Sequence, residues 1–390
     1  MNKVWRLISY IMVAALSTVV TLAVCFAGGI YPEKALQSES KLVELADLID
    51  SRFIGEHDRK AYEDAAAEAM VDSLGDQWSY YMTAEDYVAY VERMNNAYVG
   101  IGITIQVKEE QDGFLVLKVN EGGPADKAGM LAGDILIGIE GTSTAEMTAD
   151  DARTLIRGKE ETEVRVTVLR VDREIELTII RGEVQTPVAE ATLLNGGVGL
   201  ITITNFDARC ADETIAAIEA LRNQGAWGLI FDVRNNPGGY KHELVEVLDY
   251  LLPEGPLFRS EDYLGNVTVD ESDADCLIMP MAVLVNGDSY SAAEFFAAAM
   301  GEYEAAMIVG QQTTGKGYFQ QTFRLEDGSA VGLSVGKYST PNGVNLAGVG
   351  ITPDIVVDVD EDTAFEIYAG LMDPNTDPQI QAAIEAMKGQ

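Results

Sequence analysis

A lysine and a serine in the C-terminal half of the chain have residue types and a spacing that suit chemistry. Lys316 lies in GQQTTGKGYFQ (residues 310–320), which begins like the G-x-x-x-x-G-K pattern of a nucleotide-binding loop. Such a loop places Ser or Thr after the lysine and opens a helix whose amides hold the phosphates. Here Gly317 follows the lysine, and the next residues read as a strand hairpin. This context disfavours an ATP-dependent enzyme.

The strands that precede these residues predict a partner for Lys316. MAVLV (281–285) and AAMIV (305–309) read as consecutive strands joined by one helix. If the two strands are parallel, the crossover rule places their C-terminal ends at one edge of the sheet. The turns that follow carry Ser291 and Lys316. We therefore expect these two side chains to meet at that edge.

Such a pair suits acyl transfer. A serine hydroxyl needs a nearby base, and lysine can serve once burial has lowered its pKa from about 10.4. Ser-Lys pairs are an established variant of the catalytic triad. Ser291 also opens a helix, where the outward-pointing amide of Ala292 and the helix dipole favour negative charge. The alternative is that Ser291 only caps this helix and Lys316 only lies in a surface turn.

The composition limits other kinds of site. A net charge of −36 at pH 7 disfavours nucleic acid as a partner, because polyanions are repelled. Only two histidines are present, so a multi-histidine zinc site is nearly excluded, and we expect no metal or other cofactor. We read His57 as a loop residue and His242 as a surface residue. The three cysteines form no C-x-x-C pair, and no disulfide framework is expected.

The N-terminus predicts a membrane segment. Two basic residues precede an uncharged, mostly apolar run over residues 7–32, which is long enough to span a bilayer. The positive flank should stay in the cytoplasm. We expect a single-pass cell-membrane anchor at residues 1–32, with residues 33–390 outside the cytoplasm. The alternative is a signal peptide cleaved near Ala27, which gives a secreted protein.

The fold class predicted from the sequence periodicity is a multidomain protein of the α+β and α/β type. Acidic helical patterns come first, short strands with two helices follow, and strands then alternate with helices as in a mostly parallel sheet. Thr83 is a plausible N-cap, with Asp86 three residues later. The predicted division is a membrane anchor or signal segment (1–32), a helical region (33–96), a β-rich domain (97–182), an α/β core (183–358) and an acidic helical tail (359–390).

Several short motifs in this order resemble those of the C-terminal processing peptidases, also called tail-specific proteases, which are serine peptidases. The resemblance covers nearly everything after the N-terminal segment. DSLGDQWSYYMTAEDY is similar to the pre-domain motif of the family, and YVGIGITI with GGPADKAGMLAGDILIGIEG resembles its PDZ domain. The motifs that resemble the family's catalytic core are FDVRNNPGG, VNGDSYSAAEFFAAAM, VGQQTTGKGYFQ and GVGITPDIVV.

The resemblance implies roles for five residues. Ser291 is the implied nucleophile, Lys316 the general base, and Gln320 the residue that positions the lysine. The amides of Ala292 and Gly238 are the implied oxyanion hole, which needs donors fixed where negative charge develops.

The sequence departs from the family's pattern near these residues. Tyr290 and Ala293 stand where many relatives have Ala and Ser, and Glu302 stands where some have Asp, so Glu302 is left out of the catalytic set. We interpret Asp232 and Arg234 as a structural ion pair rather than as catalytic groups.

The PDZ resemblance implies recognition of free peptide C-termini. An extended peptide adds to a sheet edge, and loop amides capture its carboxylate. The candidate loop comprises Tyr98, Val99, Gly100, Ile101 and Gly102, although these glycines could also only shape a turn. The expected protein is a Ser-Lys endopeptidase that cleaves extracytoplasmic protein substrates near their C-termini and could form homo-oligomers. The alternative is a non-catalytic PDZ-bearing peptide-binding or regulatory protein on the same scaffold.

Overall fold

The computed structural model describes residues 33–107 and 113–389. The predicted membrane segment at residues 1–32 lies outside these ranges. Within them, no helix combines the length and the apolar character needed to cross a bilayer. The chain divides into two compact units at the junction of Gly75 and Asp76.

The first unit contains two helices, α1 (Glu33–Arg52) and α2 (Arg59–Asp72). Asp58 caps α2, because its side chain accepts a hydrogen bond from the amide of the second helical residue. His57 lies in the connection between the helices, as predicted, with Nε2 3.0 Å from Asp50 Oδ1.

The second unit begins with strand β1 (Tyr80–Met82) and helix α3 (Ala84–Met94). Thr83 caps α3 as predicted, since its hydroxyl accepts a 3.2 Å hydrogen bond from the amide of Asp86. Strand β1 pairs with the long strand β18 (Ala330–Ser339). This pairing attaches the segment before α3 to the C-terminal half of the chain.

A six-stranded antiparallel sheet with two helices forms the β-rich domain, as predicted. Its apolar side chains alternate along the strands and pack in one cluster, which is the pattern of a sheet with one buried face. A separate pair, β2 (Ala97–Gly100) with β9 (Gly182–Gln185), joins the two ends of the domain. The elements between them are β3 (Ile103–Val107), β4 (Phe114–Val119), α4 (Pro124–Lys127), β5 (Ile135–Ile139), β6 (Thr142–Ser143), α5 (Ala149–Ile156), β7 (Glu163–Arg170) and β8 (Arg173–Ile180).

The core is built on a six-stranded sheet whose strands lie in the order β10 (Ala189–Leu193), β11 (Val198–Ile203), β12 (Gly228–Asp232), β15 (Met281–Val285), β16 (Met307–Gly310) and β19 (Ile355–Val356). Strand β10 is antiparallel to its neighbour and the other pairings are parallel, so the predicted mostly parallel sheet is confirmed. The helices that connect these strands are α6 (Cys210–Asn223), α7 (Lys241–Leu251) and α8 (Ala292–Glu302).

Both faces of this sheet are covered, which explains why β12 and β15 are apolar almost throughout. Helices α6, α7 and α8 share one hydrophobic cluster with the strands. The opposite face packs against α10 (Pro378–Met387), which contributes the buried side chains of Ile380, Ala383 and Met387. The C-terminal helix is therefore part of the core packing.

A second, five-stranded sheet lies beside the catalytic candidates. Strands β17 (Tyr318–Arg324) and β18 form the predicted hairpin after Lys316. Strand β18 also pairs with β13 (Gly255–Asp262), which in turn pairs with β14 (Val267–Ser272). The remaining helix, α9 (Glu361–Tyr368), precedes α10.

Candidate active site

Ser291 is held in an unusual backbone conformation at the start of α8. Its φ is +58° and its ψ is −125°, in a region that residues other than glycine rarely adopt. Only 8% of the residue is exposed. The amide of Ser291 donates a 3.1 Å hydrogen bond to Oε2 of Glu294, one turn into the helix. The strain at Ser291 is therefore supported by a bond to a fixed, buried carboxylate.

Gly238 lies directly against Ser291. A Cβ atom on Gly238 would lie 2.7 Å from Cβ of Ser291 and 2.8 Å from the amide nitrogen of Ala292, so only glycine fits. The amide of Gly238 donates to Oδ1 of Asn236 at 2.8 Å. The amide of Ala292 has no acceptor among the residues described. The structure thus places both predicted oxyanion donors beside Ser291. Of the two, the amide of Gly238 already donates a hydrogen bond to Asn236.

The loop that carries Gly238 is fastened to the turn that carries Ser291. The amide of Asn235 donates to the side chain of Asn286, whose Nδ2 donates back to Oδ1 of Asn235, both at 2.9 Å. The amide of Tyr290 donates to the carbonyl of Asn236 at 3.1 Å. These bonds fix the two loops after β12 and β15 to each other.

Lys316 lies between two glycines that its surroundings require. A Cβ on Gly315 would lie 2.9 Å from the amide nitrogen of Val349, and one on Gly317 would lie 2.5 Å from that of Ala347. The segment after β18 therefore packs directly on the lysine loop. Neither glycine leaves room for a side chain, so the backbone of this loop can approach its neighbour closely.

Glu294 connects the serine and the lysine. Its carboxylate is fully buried, and Oε2 accepts hydrogen bonds from the amides of Ser291 and Lys316. Oε1 accepts from the amide of Gly315 at 2.7 Å and the hydroxyl of Thr313 at 2.5 Å. Sequence reasoning missed this residue, although Ser291 with Glu294 matches the S-x-x-E spacing of a helix capping box.

Among the described residues, the ammonium group of Lys316 forms no hydrogen bond with Ser291, and its neighbours are aromatic rings. Its Nζ lies 4.7 Å from the centre of the Trp78 ring and 5.7 Å from that of Tyr290. Burial lowers the pKa of Lys316 to about 8, against the opposing influence of the carboxylates of Asp76 and Glu294. The lysine therefore has the pKa of a usable base but rests on aromatic rings.

Gln320 contacts a neighbouring strand instead of the lysine. Its Nε2 donates to the hydroxyl of Ser334 on β18 at 3.0 Å. Glu302 accepts hydrogen bonds from the hydroxyl of Thr340 at 2.6 Å and the amide of Asn342 at 2.8 Å. Glu302 thus stabilises the loop after β18, which is a structural role.

The remaining polar candidates are placed as the sequence predicted. Arg234 forms a buried ion pair with Asp232 at 2.6 Å, and a second one with Asp377 at 2.8 Å. The side chain of His242 is 70% exposed. Across residues 33–107 and 113–389, no group of three or more His, Cys, Asp or Glu side chains is placed to hold a metal ion.

The predicted peptide-binding loop lies at the entry to the β-rich domain. Tyr98, Val99 and Gly100 belong to β2, and the ring of Tyr98 is covered by the guanidinium of Arg157 at 4.6 Å. Ile101 is buried in the domain core, and Gly102 has a φ of +76°. Strand β3 follows at once and is an edge strand of its sheet.

Comparisons with known proteins match most of the chain. The models of "Peptidase family S41" and "PDZ domain" match residues 197–357 and 115–170. A "Probable CtpA-like serine protease" of Staphylococcus aureus (strain COL) is 30% identical over 385 residues, which cover 96% of this chain and 76% of that protein. The protein of the same description from Staphylococcus haemolyticus (strain JCSC1435) is 31% identical, covering 82% of this chain and 64% of the relative. A solved photosystem II D1 C-terminal processing protease is 27% identical, with a TM-score of 0.47, covering 82% of this chain and 87% of that one.

Proposed function

Because the chain belongs to peptidase family S41 and is a serine protease of the CtpA-like, C-terminal processing type, we propose that Ser291 is its nucleophile and Lys316 its general base. One observation carries this assignment. The amides of Ser291 and Lys316 donate to the same oxygen of Glu294, at 3.1 and 2.8 Å, which holds the two residues at one edge of the sheet. The lowered pKa of Lys316, about 8, supports the role of base.

In the proposed reaction the lysine carries one proton between the serine and the leaving group. The neutral amine of Lys316 takes the hydroxyl proton as Ser291 Oγ forms a bond to the scissile carbonyl carbon. The resulting ammonium returns this proton to the leaving amine as the C–N bond breaks. Water then attacks the acyl-enzyme, with Lys316 again accepting the proton. When the ester bond breaks, Ser291 Oγ is protonated and the new C-terminus is released.

Two backbone amides are proposed to stabilise the oxyanion. The amide of Ala292 is available at the start of α8, where the helix dipole favours negative charge. The amide of Gly238 must first exchange its bond with Asn236 for one with the substrate. Access to Gly238 therefore depends on a small rearrangement of its loop.

The β-rich domain is proposed to bind the free C-terminus of protein substrates. Strand β3 offers a sheet edge to an extended peptide, and the turn at Gly102 precedes it. We further propose that these substrates are extracytoplasmic and that residues 1–32 act as a membrane anchor. The uncharged apolar run at residues 7–32 supports this placement.

The experiment uses the full-length chain, purified in mild detergent, and an unfolded reporter protein with varied C-terminal residues. We expect cleavage that falls by at least about 1,000-fold in both Ser291→Ala and Lys316→Met. Lys337→Met is the matched control, because Lys337 is an exposed lysine of β18 paired with Glu261. Cleavage that persists in a folded Lys316→Met variant would show that another group is the base.

A further inference from the structure

Two aromatic rings enclose the ammonium group of Lys316. Nζ lies within 6 Å of the ring centres of Trp78 and Tyr290. The two rings lie against each other, with centroids 6.0 Å apart and planes inclined by 32°. Among the contacts of the described residues, Nζ forms neither a hydrogen bond nor an ion pair. The two rings are therefore direct neighbours of this group.

Trp78 is fixed in its place by the segment around it. Its amide donates to Oδ1 of Asp76 at 3.2 Å, and the hydroxyl of Ser79 donates to Oδ2 of Asp76 at 2.6 Å. The amide of Ser334 on β18 donates to the hydroxyl of Ser79 at 3.1 Å. The next residues continue as β1, which pairs with β18. The Trp78 ring is thus anchored to the sheet that contains the hairpin after the lysine.

The chemistry of this contact opposes the role of a base. The face of an aromatic ring attracts a cation, so the contact favours the ammonium form of Lys316 over the neutral amine. A general base for Ser291 must be neutral and must lie within hydrogen-bonding distance of the hydroxyl. Lys316 in the observed position meets neither condition while it is protonated on the rings.

We propose that Trp78 is a positioning residue that retains Lys316 in this resting position and releases it to Ser291 during turnover. The inference rests on the proposed function, in which Lys316 is the general base. Trp78 comes from the segment before α3, and Tyr290 from the turn that carries the nucleophile. The Trp78 ring can therefore move away from the lysine without a change in the turn that carries the nucleophile.

Other charged and titratable groups also face the lysine and must be kept constant in a test. Asp76 lies on the segment of Trp78, Glu294 on α8, and the phenol of Tyr290 on the nucleophile turn. Both carboxylates favour the ammonium form, whereas burial favours the neutral amine. Replacing Trp78 by leucine keeps an apolar side chain there, removes the ring face, and neither adds nor removes a charged group.

The test compares full-length wild type with Trp78→Leu by two measurements. The first is the pH profile of kcat/KM on the reporter substrate. The second is the rate at which acetic anhydride labels Lys316 as a function of pH, measured by mass spectrometry in the inactive Ser291→Ala background. In both, we expect the midpoint to fall by about half to one pH unit, with kcat/KM at pH 6.5 about 3- to 10-fold higher.

Trp227→Leu is the matched control, since the indole of Trp227 donates to the carbonyl of Gly196 and does not face the lysine. This variant should shift neither midpoint. Trp78→Phe keeps a weaker ring and should give a smaller shift in the same direction, which preserves the test if Trp78→Leu does not fold.

The outcomes separate this inference from the function on which it rests. Unchanged or raised midpoints in Trp78→Leu, together with loss of activity in Lys316→Met, would overturn the role of Trp78 and leave the dyad intact. A lowered labelling midpoint in a protein whose activity survives Lys316→Met would instead overturn Lys316 as the base.

Discussion

The backbone amides of Ser291 and Lys316 donate to one and the same oxygen atom, Oε2 of Glu294. The two donors lie on different loops, one after β15 and one after β16. Because the carboxylate is fully buried, it cannot exchange these donors for water without local unfolding. Glu294 thus fixes the nucleophile's turn and the lysine's loop to each other through their backbones.

Glu294→Gln should therefore disrupt the site although the side chain keeps its shape. An amide has only one accepting oxygen, so either the amides at Oε2 or the two donors at Oε1 then face an NH2 group. We expect a loss of about 2–4 kcal/mol in the free energy of unfolding and at least about a 100-fold fall in kcat/KM. Urea denaturation and steady-state kinetics measure the two effects.

The matched control is Thr313→Val, which removes the hydroxyl's bonds to Glu294 and to the amide of Ile351 and leaves the three amide bonds to Glu294 in place. It should cost about 1–3 kcal/mol in the free energy of unfolding but less than about 10-fold in kcat/KM. Wild-type activity in Glu294→Gln would refute the view that the shared carboxylate organises the site.

The pH dependence of activity follows from the state of Lys316. Its pKa is lowered to about 8, so about one-tenth of the free enzyme carries a neutral amine at pH 7 and about nine-tenths at pH 9. We expect kcat/KM to rise with pH through a midpoint near 8, because deprotonation creates the base. Lys316→Arg should be inactive at every pH, since a guanidinium stays protonated. A profile that is flat between pH 6 and 10 would contradict this assignment.

The sequence predicted the frame of the site because that frame depends on local patterns. Two apolar strands joined by one helix are enough to place Ser291 and Lys316 at the same edge of a parallel sheet. The failed nucleotide motif at Gly317 also pointed to the correct context, a strand hairpin after the lysine. These features need only periodicity, turn residues and the handedness of the crossover.

The side-chain contacts of Lys316 could not be predicted from the sequence, because they join residues that are far apart along the chain. Trp78 reaches Lys316 only because β1 pairs with β18, and nothing in the local sequence of either residue specifies that pairing. Gln320 was expected at Lys316, but a register shift between Phe319 and Gln320 accompanies its bond to Ser334. A β-bulge of this kind redirects a side chain, and its position is not written in the residue types.

Arg234 is predicted to be essential for stability. Its side chain is 4% exposed, and its guanidinium donates to Asp232 at the end of β12 and to Asp377, the N-cap of α10. Arg234→Ala leaves two buried carboxylates without their cation, so we expect a loss of about 3–5 kcal/mol in the free energy of unfolding. Arg222→Ala removes an exposed pair with Glu219 and should leave the free energy of unfolding almost unchanged. Equal losses in the two variants, measured by urea denaturation, would contradict this reading.

Asp207 makes the stability of the protein depend on pH. The residue is 5% exposed, and its Oδ1 has no hydrogen-bond donor within the described ranges of the chain. Burial raises the pKa of Asp207 to about 7, with Arg93 opposing the shift and Glu243 adding to it. The unfolded chain releases this proton near pH 4, so between about pH 4 and 7 the folded state binds more protons than the unfolded state. The contribution of the Asp207 carboxyl to the free energy of unfolding therefore falls as pH rises through that interval and is constant above it.

Asp207→Asn should remove this dependence, because a neutral amide carries no titrating proton. Relative to wild type, the variant should gain about 2–4 kcal/mol of unfolding free energy between pH 4 and pH 8, with most of the gain complete by pH 7. Urea denaturation at pH 4.5, 6 and 8 measures the change. Asp212→Asn, at an exposed position in the first turn of α6, is the control and should show no such trend. A stability difference between Asp207→Asn and wild type that stays constant from pH 4.5 to 8 would show that the Asp207 carboxyl does not titrate in this range.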